Sequence, residues 1–291
     1  MESPPEVPQN AAKLTGCLYI VATPIGNLED ITVRALRILG EADLIACEDT
    51  RHTAKLLNHY SIRKPTISYH EHNEVTRSAE LVLRMEEGAR IALVSDAGTP
   101  GISDPGYRLV SLCLRHHVPV LPIPGASALM TALVASGLPV DEFLFVGFLP
   151  SRTGERRKAL ERLDREQRTL VIYEAPHRLA DTLTDALDKL GRRPAVIARE
   201  LTKIHEEFLR GDLAELVVKN AQQPARGEIT LLIGPPDLTG ADLPATTQPL
   251  QARVEQIIRE QSVDRKAALK LAARERGLTK REAYKQLLSD Y

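Results

Sequence analysis

The sequence predicts an α/β protein: two α/β domains with a ligand cleft between them, followed by a small C-terminal helical domain. Three observations lead there. Short β-rich runs alternate with helical patterns, glycine and proline punctuate nearly every strand end, and the last 40 or so residues turn helical and locally basic.

In chain order, Cys17 to Ala22 reads as the first strand and Thr32 to Leu39 as the helix after it. Leu44 to Cys47 and Ile91 to Ser95 are apolar, strand-like runs, with helical periodicity at Thr53 to Tyr60 and Glu74 to Glu87 between them. Tyr107 to His116 and Val118 to Leu121 complete an N-terminal domain, 14–123, built on a mostly parallel sheet. The second domain, 124–235, opens with a small-residue helix ending at Gly137. Strands follow at Phe143 to Phe148, Thr169 to Tyr173, Ala195 to Arg199, Glu206 to Leu209 and Glu228 to Ile233. Helices at Arg156 to Glu166 and Arg178 to Leu190 separate them, and some strand pairing is antiparallel. A Pro/Gly/Thr-rich linker spans 236–248, and 249–291 forms a basic helix-turn-helix-like unit in which Gly277 ends one helix and Thr279 with Glu282 caps the next. Residues 1–13 are acidic and proline-rich, without the apolar stretch of a signal peptide, and read as a disordered tail.

Composition narrows the function classes. At 291 residues each domain can bury its own core without a metal or disulfide staple. Apolar residues at 43% and charged residues at 26% are the balance of a globular protein, and no run of about 18 apolar residues occurs. A net charge of −1 makes any nucleic-acid surface a local patch rather than a global excess. Cys17, Cys47 and Cys113 stand in unrelated apolar settings, the pattern of reduced, buried thiols in a cytoplasmic protein.

The chemistry is expected in the loops. Thr23-Pro24-Ile25-Gly26-Asn27 makes a tight turn after the first strand that fits neither a dinucleotide fingerprint nor an NTPase phosphate loop. Ser95 to Gly106 packs three glycines and two prolines into twelve residues, which lets the backbone approach a ligand while holding its path rigid. Pro124 to Ala128 is a third such turn. None of the three contains lysine or arginine, which argues against a triphosphate and for a ligand held by backbone and apolar contacts.

Together with Glu48-Asp49-Thr50-Arg51, Gly147-Phe148-Leu149-Pro150, Tyr173 to Arg178, Arg199 to Lys203 and Arg226-Gly227-Glu228, these loops resemble the tetrapyrrole-methylase-like (class III) methyltransferases. Within them, the combined loop at 95–106 and the Tyr-Glu-Ala-Pro-His-Arg segment are similar to the group that methylates 16S ribosomal RNA. The resemblance covers about residues 15–235, and the basic tail is similar to that group's C-terminal domain.

It implies S-adenosylmethionine as methyl donor, with no metal. The donor would lie between the domains against Pro24, Ile25, Ala97, Gly98, Thr99, Ile102, Ser127, Ala128 and Glu174, with Asp96 supporting the loop. It further implies a homodimer, and a cytidine 2′-hydroxyl in the decoding region of the small ribosomal subunit as acceptor. Glu48, Asp49, Glu200 and Lys203 are candidates to take the hydroxyl proton, each with a structural cap or ion pair as the alternative. Arg51, His177 and Arg178, with Arg265, Lys266, Lys280 and Arg281 of the tail, are candidates to hold RNA phosphates. Other acceptors, a tetrapyrrole or a diphthamide precursor, stay open, as does a non-catalytic RNA-binding assembly factor. His70-Glu71-His72 lacks a third ligand at metal spacing and reads as a surface cluster, and His116-His117 as the end of a helix.

Overall fold

A computed structural model describes residues 16–236, Val254, 257–259 and 264–275. The tail expected at 1–13, the linker from 237 onward, Lys280, Arg281 and the cap at Thr279 and Glu282 lie outside the described residues.

Strands β1 (Cys17–Val21), β2 (Leu44–Cys47), β3 (Thr66–Ser68), β4 (Arg90–Val94) and β5 (Val120–Ile123) form one sheet in the order β3-β2-β4-β1-β5. All of its pairings are parallel. Such a sheet must be covered on both faces, and alternation along β1 shows how. Cys17, Tyr19 and Val21 pack with Ala35, Ile38 and Leu39 of α1 (Val33–Glu41) and Leu57 of α2 (Thr50–His59). Leu18 faces the other way, into Leu81 and Met85 of α3 (Glu74–Glu86) and Leu109 and Cys113 of α4 (Tyr107–Arg115). All three cysteines are buried free thiols.

The second sheet holds β6 (Phe143–Phe148), β7 (Thr169–Glu174), β8 (Pro194–Arg199), β9 (Glu207–Asp212) and β10 (Ile229–Ile233) in the order β6-β7-β10-β8-β9. Only β6 and β7 pair in parallel. Leu170, Ile172, Ile197 and Leu231 turn toward α6 (Thr153–Glu161), α7 (Leu179–Leu190) and α8 (Leu213–Gln222). Val171, Val196 and Leu232 face the opposite way and pack with Leu129 and Leu133 of α5 (Ala128–Ser136) and with Ile25 from the loop after β1. One apolar cluster thus joins the two halves of the chain, and it lies beside the site described below.

Three elements differ from the sequence expectation. The helix expected at Arg156 to Glu166 runs instead from Thr153 to Glu161. Its expected last turn is taken over by buried Arg193, which donates to the carbonyls of Glu166, at 3.0 Å, and Asp164. Strand β3 is three residues long, too short to show a period. Helix α8 carries a readable start signal, Asp212 followed by Glu215, and the Asp212 carboxylate accepts the Glu215 N–H at 2.9 Å.

Near the C-terminus α9 (Arg265–Glu275) buries Ala268, Leu269, Ala272 and Ala273 against Val254 and Ile257. Arg265 and Lys266 stay exposed on it. Among the described residues no helix is long and apolar enough to cross a membrane.

Candidate active site

The three Gly/Pro loops follow β4, β1 and β5, which are neighbours in the first sheet. Because those strands are parallel, their loops leave from the same edge, the carboxyl end where open α/β sheets bind ligands. Two backbone bonds tie the first loops together: Thr23 N–H to the Gly98 carbonyl at 2.8 Å and Gly98 N–H to the Thr23 carbonyl at 3.1 Å. The Thr99 hydroxyl reaches the Ala126 carbonyl at 3.2 Å and so fastens the third. The Glu48 to Arg51 segment follows β2, beside β4, and joins through the Asp49 N–H, which donates to Asp96 Oδ1 at 3.1 Å.

Between these loops and the second sheet lies a cleft of about 390 Å³, the size of a small-molecule site. Ile25, Asp96, Ala97, Gly98, Thr99 and Ile102 line it from the first half of the chain. Ser127, Ala128 and Glu174 line it from the second, whereas Pro24, the residue before Ile25 in the chain, is not part of the wall. Sequence reasoning missed Asp104, Phe148, Tyr173 and Glu228, which also face the cleft. Phe148 and Tyr173 stand in stretches that carry the family resemblance, with no role assigned to either side chain. Asp104 repeats the Ser-Asp pair of Ser95-Asp96 eight residues on, a signal present in the sequence but not used.

Among the described residues no lysine, arginine or histidine lines the cleft, while Asp96, Asp104, Glu174 and Glu228 do. A neutral or cationic ligand suits such a wall better than a phosphate. Glu174 is fully buried and tied down: its Oε2 accepts from Thr182 at 2.7 Å, its Oε1 from the Ala175 N–H at 2.8 Å.

The proton-acceptor candidates occupy different surroundings. The Asp49 carboxylate caps α2, takes a two-pronged contact from the Arg51 guanidinium at 3.1 and 2.8 Å, and is held well below the usual carboxylate range by it. That makes it a weak base. Burial, reinforced by the charges of Asp96 and Glu71, pushes Glu48 up. Burial likewise raises Asp104, to about 6, with Glu48 and Asp96 adding to it and the Ser95 hydroxyl opposing.

Glu200 and Lys203 pair with one another at 3.0 Å, and Glu228 stands 3.3 Å from the same ammonium. Glu200 is held below its usual range by the Glu228 N–H and the Lys203 ammonium. Burial opposes the charge on Lys203, but these carboxylates outweigh it and raise its pKa, so at neutral pH the lysine carries its proton. The trio clamps the loop after β8, where Glu200 and Thr202 both take left-handed backbone angles. Gly26 lies directly on it: a Cβ there would stand 2.4 Å from Cγ of Lys203.

Among the RNA candidates, Arg51 has a side chain 89% exposed and His177 is exposed. Arg178 requires a correction. Its guanidinium turns inward, donating to the Leu149 and Pro150 carbonyls at 2.5 and 3.2 Å, with Nε 3.2 Å from Glu174 Oε1. It braces the cleft wall instead of facing solvent. If Arg51 belongs to an RNA surface, Arg51→Ala would lower RNA affinity and flatten its salt dependence by about one ion. Arg178→Ala is expected to lower the melting temperature while leaving the salt slope alone; equal slopes for both variants and the unsubstituted protein would remove Arg51 from the RNA surface.

His70 lies beside Asn73 (Nε2 to Nδ2, 3.3 Å) and edge-on to His72, and His116 contacts Glu86 at 2.9 Å. Among the described residues no group of three or more His, Cys, Asp or Glu side chains is placed to hold a metal ion.

Comparison with known proteins agrees with this architecture. The sequence profile described as Tetrapyrrole (Corrin/Porphyrin) Methylases matches residues 17–217. Ribosomal RNA small subunit methyltransferase I of Halalkalibacterium halodurans is 49% identical over 277 residues, spanning 92% of this chain and 93% of that protein. Its counterpart from Escherichia coli O157:H7 is 45% identical over 283 residues, 96% of this chain and 97% of that one. Among solved structures, uroporphyrin-III C-methyl transferase from Thermus thermophilus complexed with S-adenyl homocysteine has the same fold, at TM-score 0.55 and 23% identity over 75% of this chain and 97% of that one. Two sheets joined at a loop-built cleft, a profile match over most of the chain and near full-length identity to named relatives together place this chain in the tetrapyrrole (corrin/porphyrin) methylase family, as a methyltransferase.

Proposed function

We propose that the protein transfers a methyl group from S-adenosylmethionine to the ribose 2′-hydroxyl of a cytidine in the decoding region of 16S ribosomal RNA. The observation that carries this reading is the near full-length identity to relatives named for small-subunit ribosomal RNA methylation. The likeness to tetrapyrrole enzymes, at 19% and 23% identity, speaks for the fold alone.

The cleft's residues fit the proposed donor. Ile25, Ile102 and Phe148 offer apolar walls for an adenosyl group, and the loop backbone at Ala97 to Thr99 offers polar contacts. The carboxylates of Asp96 and Glu228 suit a ligand that carries ammonium and sulfonium charges. S-adenosylmethionine supplies a methyl carbon already activated by its sulfonium, so the protein's task is to align an acceptor oxygen with it and to give the departing proton a place to go. Arg51 and His177, with Arg265 and Lys266 on α9, are proposed to hold the RNA backbone. The domain boundaries near 123 and 235, read from the pattern of strands, helices and turns, a cytoplasmic setting, read from the reduced thiols, and a homodimer, implied by family likeness, belong to the same proposal.

The test is methyl transfer from labelled S-adenosylmethionine to small subunits that lack the modification, followed by mapping of the labelled nucleotide. Label on one cytidine 2′-oxygen is the expected result. Donor binding without label in RNA would move the reading to another acceptor.

A further inference from the structure

A second cavity, of about 580 Å³, adjoins the donor cleft, and the residues common to both walls are Ser103 and Asp104. Its far side is formed by Tyr107, Arg108, Ser111 and Arg115 of α4, with Glu74 at the start of α3 and Glu71 in the turn before it. Tyr107 is 82% exposed, so its ring contributes nothing to the core. Arg108 engages Glu74 through Nε at 3.2 Å, which takes up that carboxylate's charge, and Arg115 reaches the Ser111 carbonyl through Nε at 3.4 Å. An exposed aromatic ring beside two arginines is the chemistry that holds a nucleotide, the ring by stacking and the guanidinium groups by phosphate contact.

We propose that this second cavity receives the acceptor nucleotide of the RNA, with Tyr107 against its base, Arg108 and Arg115 toward its phosphates, and Asp104 taking the proton of its ribose hydroxyl. This deepens the reading given above and rests on it. With the carboxylates of Glu71, Glu74 and Asp104 on the same wall as the two arginines, the cavity suits one extruded nucleotide better than a continuous backbone track. The step balances simply. The hydroxyl proton passes to an Asp104 carboxylate oxygen, the ribose oxygen forms a bond to the methyl carbon, the carbon–sulfur bond breaks, and its electron pair stays on sulfur as a neutral thioether.

Charged and titratable groups face Asp104 on several sides: Glu48 after β2, Asp96 after β4, Tyr173 of β7, and Glu71, Glu74, Arg108 and Arg115 across the second cavity. Its raised value near 6 leaves it ionised at neutral pH and a stronger base than an ordinary carboxylate. The rate of methyl transfer should therefore rise with pH through about 6 and level off above it.

The experiment measures steady-state methyl transfer to unmodified small subunits from pH 5 to 8, with donor affinity by calorimetry and melting temperature as folding controls. Asp104→Asn is expected to lower kcat at saturating donor by about a hundredfold or more and to abolish the inflection near 6, with melting temperature and KM for RNA little changed. Asp104→Glu should restore part of kcat and an inflection. Tyr107→Ala is expected to raise KM for RNA about tenfold with kcat retained. Unchanged kcat and pH profile in Asp104→Asn, or unchanged KM in Tyr107→Ala, would overturn the assignment while the acceptor reading stood. If the unsubstituted protein placed no label on RNA, both would fall together.

Discussion

Gly98→Val is expected to weaken S-adenosylmethionine binding by a hundredfold or more while leaving a cooperatively folded protein. Gly98 has φ +84, in the left-handed region that a β-branched residue enters only at a cost of about 1–3 kcal/mol. The backbone has no freedom to escape the strain, since both its N–H and its carbonyl are bonded to Thr23. A Cβ would also stand 3.3 Å from Cγ2 of Ile25, a residue of the cleft wall, and the rest of the valine would compete for space at the ligand's edge. Isothermal calorimetry with S-adenosylmethionine reads the effect directly. A dissociation constant within threefold of that of the unsubstituted protein would show that the donor does not lie against this loop.

Asp185→Ala is expected to be the most damaging single change to stability. Arg156, its side chain only 3% exposed, places Nε 2.7 Å from Asp185 Oδ2, and Asp185 is itself 11% exposed. Asp181, at 3.9 Å and largely in solvent, is too distant and too well screened to replace it. Removing the carboxylate leaves a buried guanidinium without compensation, which costs about 3–5 kcal/mol, or a melting-temperature drop of roughly 6–20 °C for a unit of this size. Replacing both partners with apolar residues, Arg156→Met with Asp185→Leu, should recover most of the loss. A drop of less than 2 °C in the single variant would mean that Arg156 finds solvent or another acceptor.

These expectations separate what is legible in the chain from what is not. The loops that line the cleft were legible because glycine and proline mark backbone constraints locally, as Ser95 to Gly106 shows. Their convergence also follows from local signals, since consecutive β-α units imply parallel strands and parallel strands send their loops to one edge. The charged residues behave differently. Glu48, Asp49, Glu200 and Lys203 are all candidates in the sequence, yet the fold gives Asp49 to Arg51, locks Glu200 and Lys203 together, and leaves Glu48 and Asp104 with raised carboxyl groups. Arg178, readable as an RNA contact, turned out to brace Leu149 and Pro150.

What the sequence by itself determined is the alternation of strands and helices, the Gly/Pro loops that converge on the cleft, and the family. Only the tertiary structure decided which ionisable groups face the cleft, which neutralise one another, and that a second cavity meets the first at Asp104. Periodicity and turn chemistry act between residues a few positions apart, whereas burial and charge pairing depend on neighbours brought together from distant parts of the chain, and no local pattern encodes them.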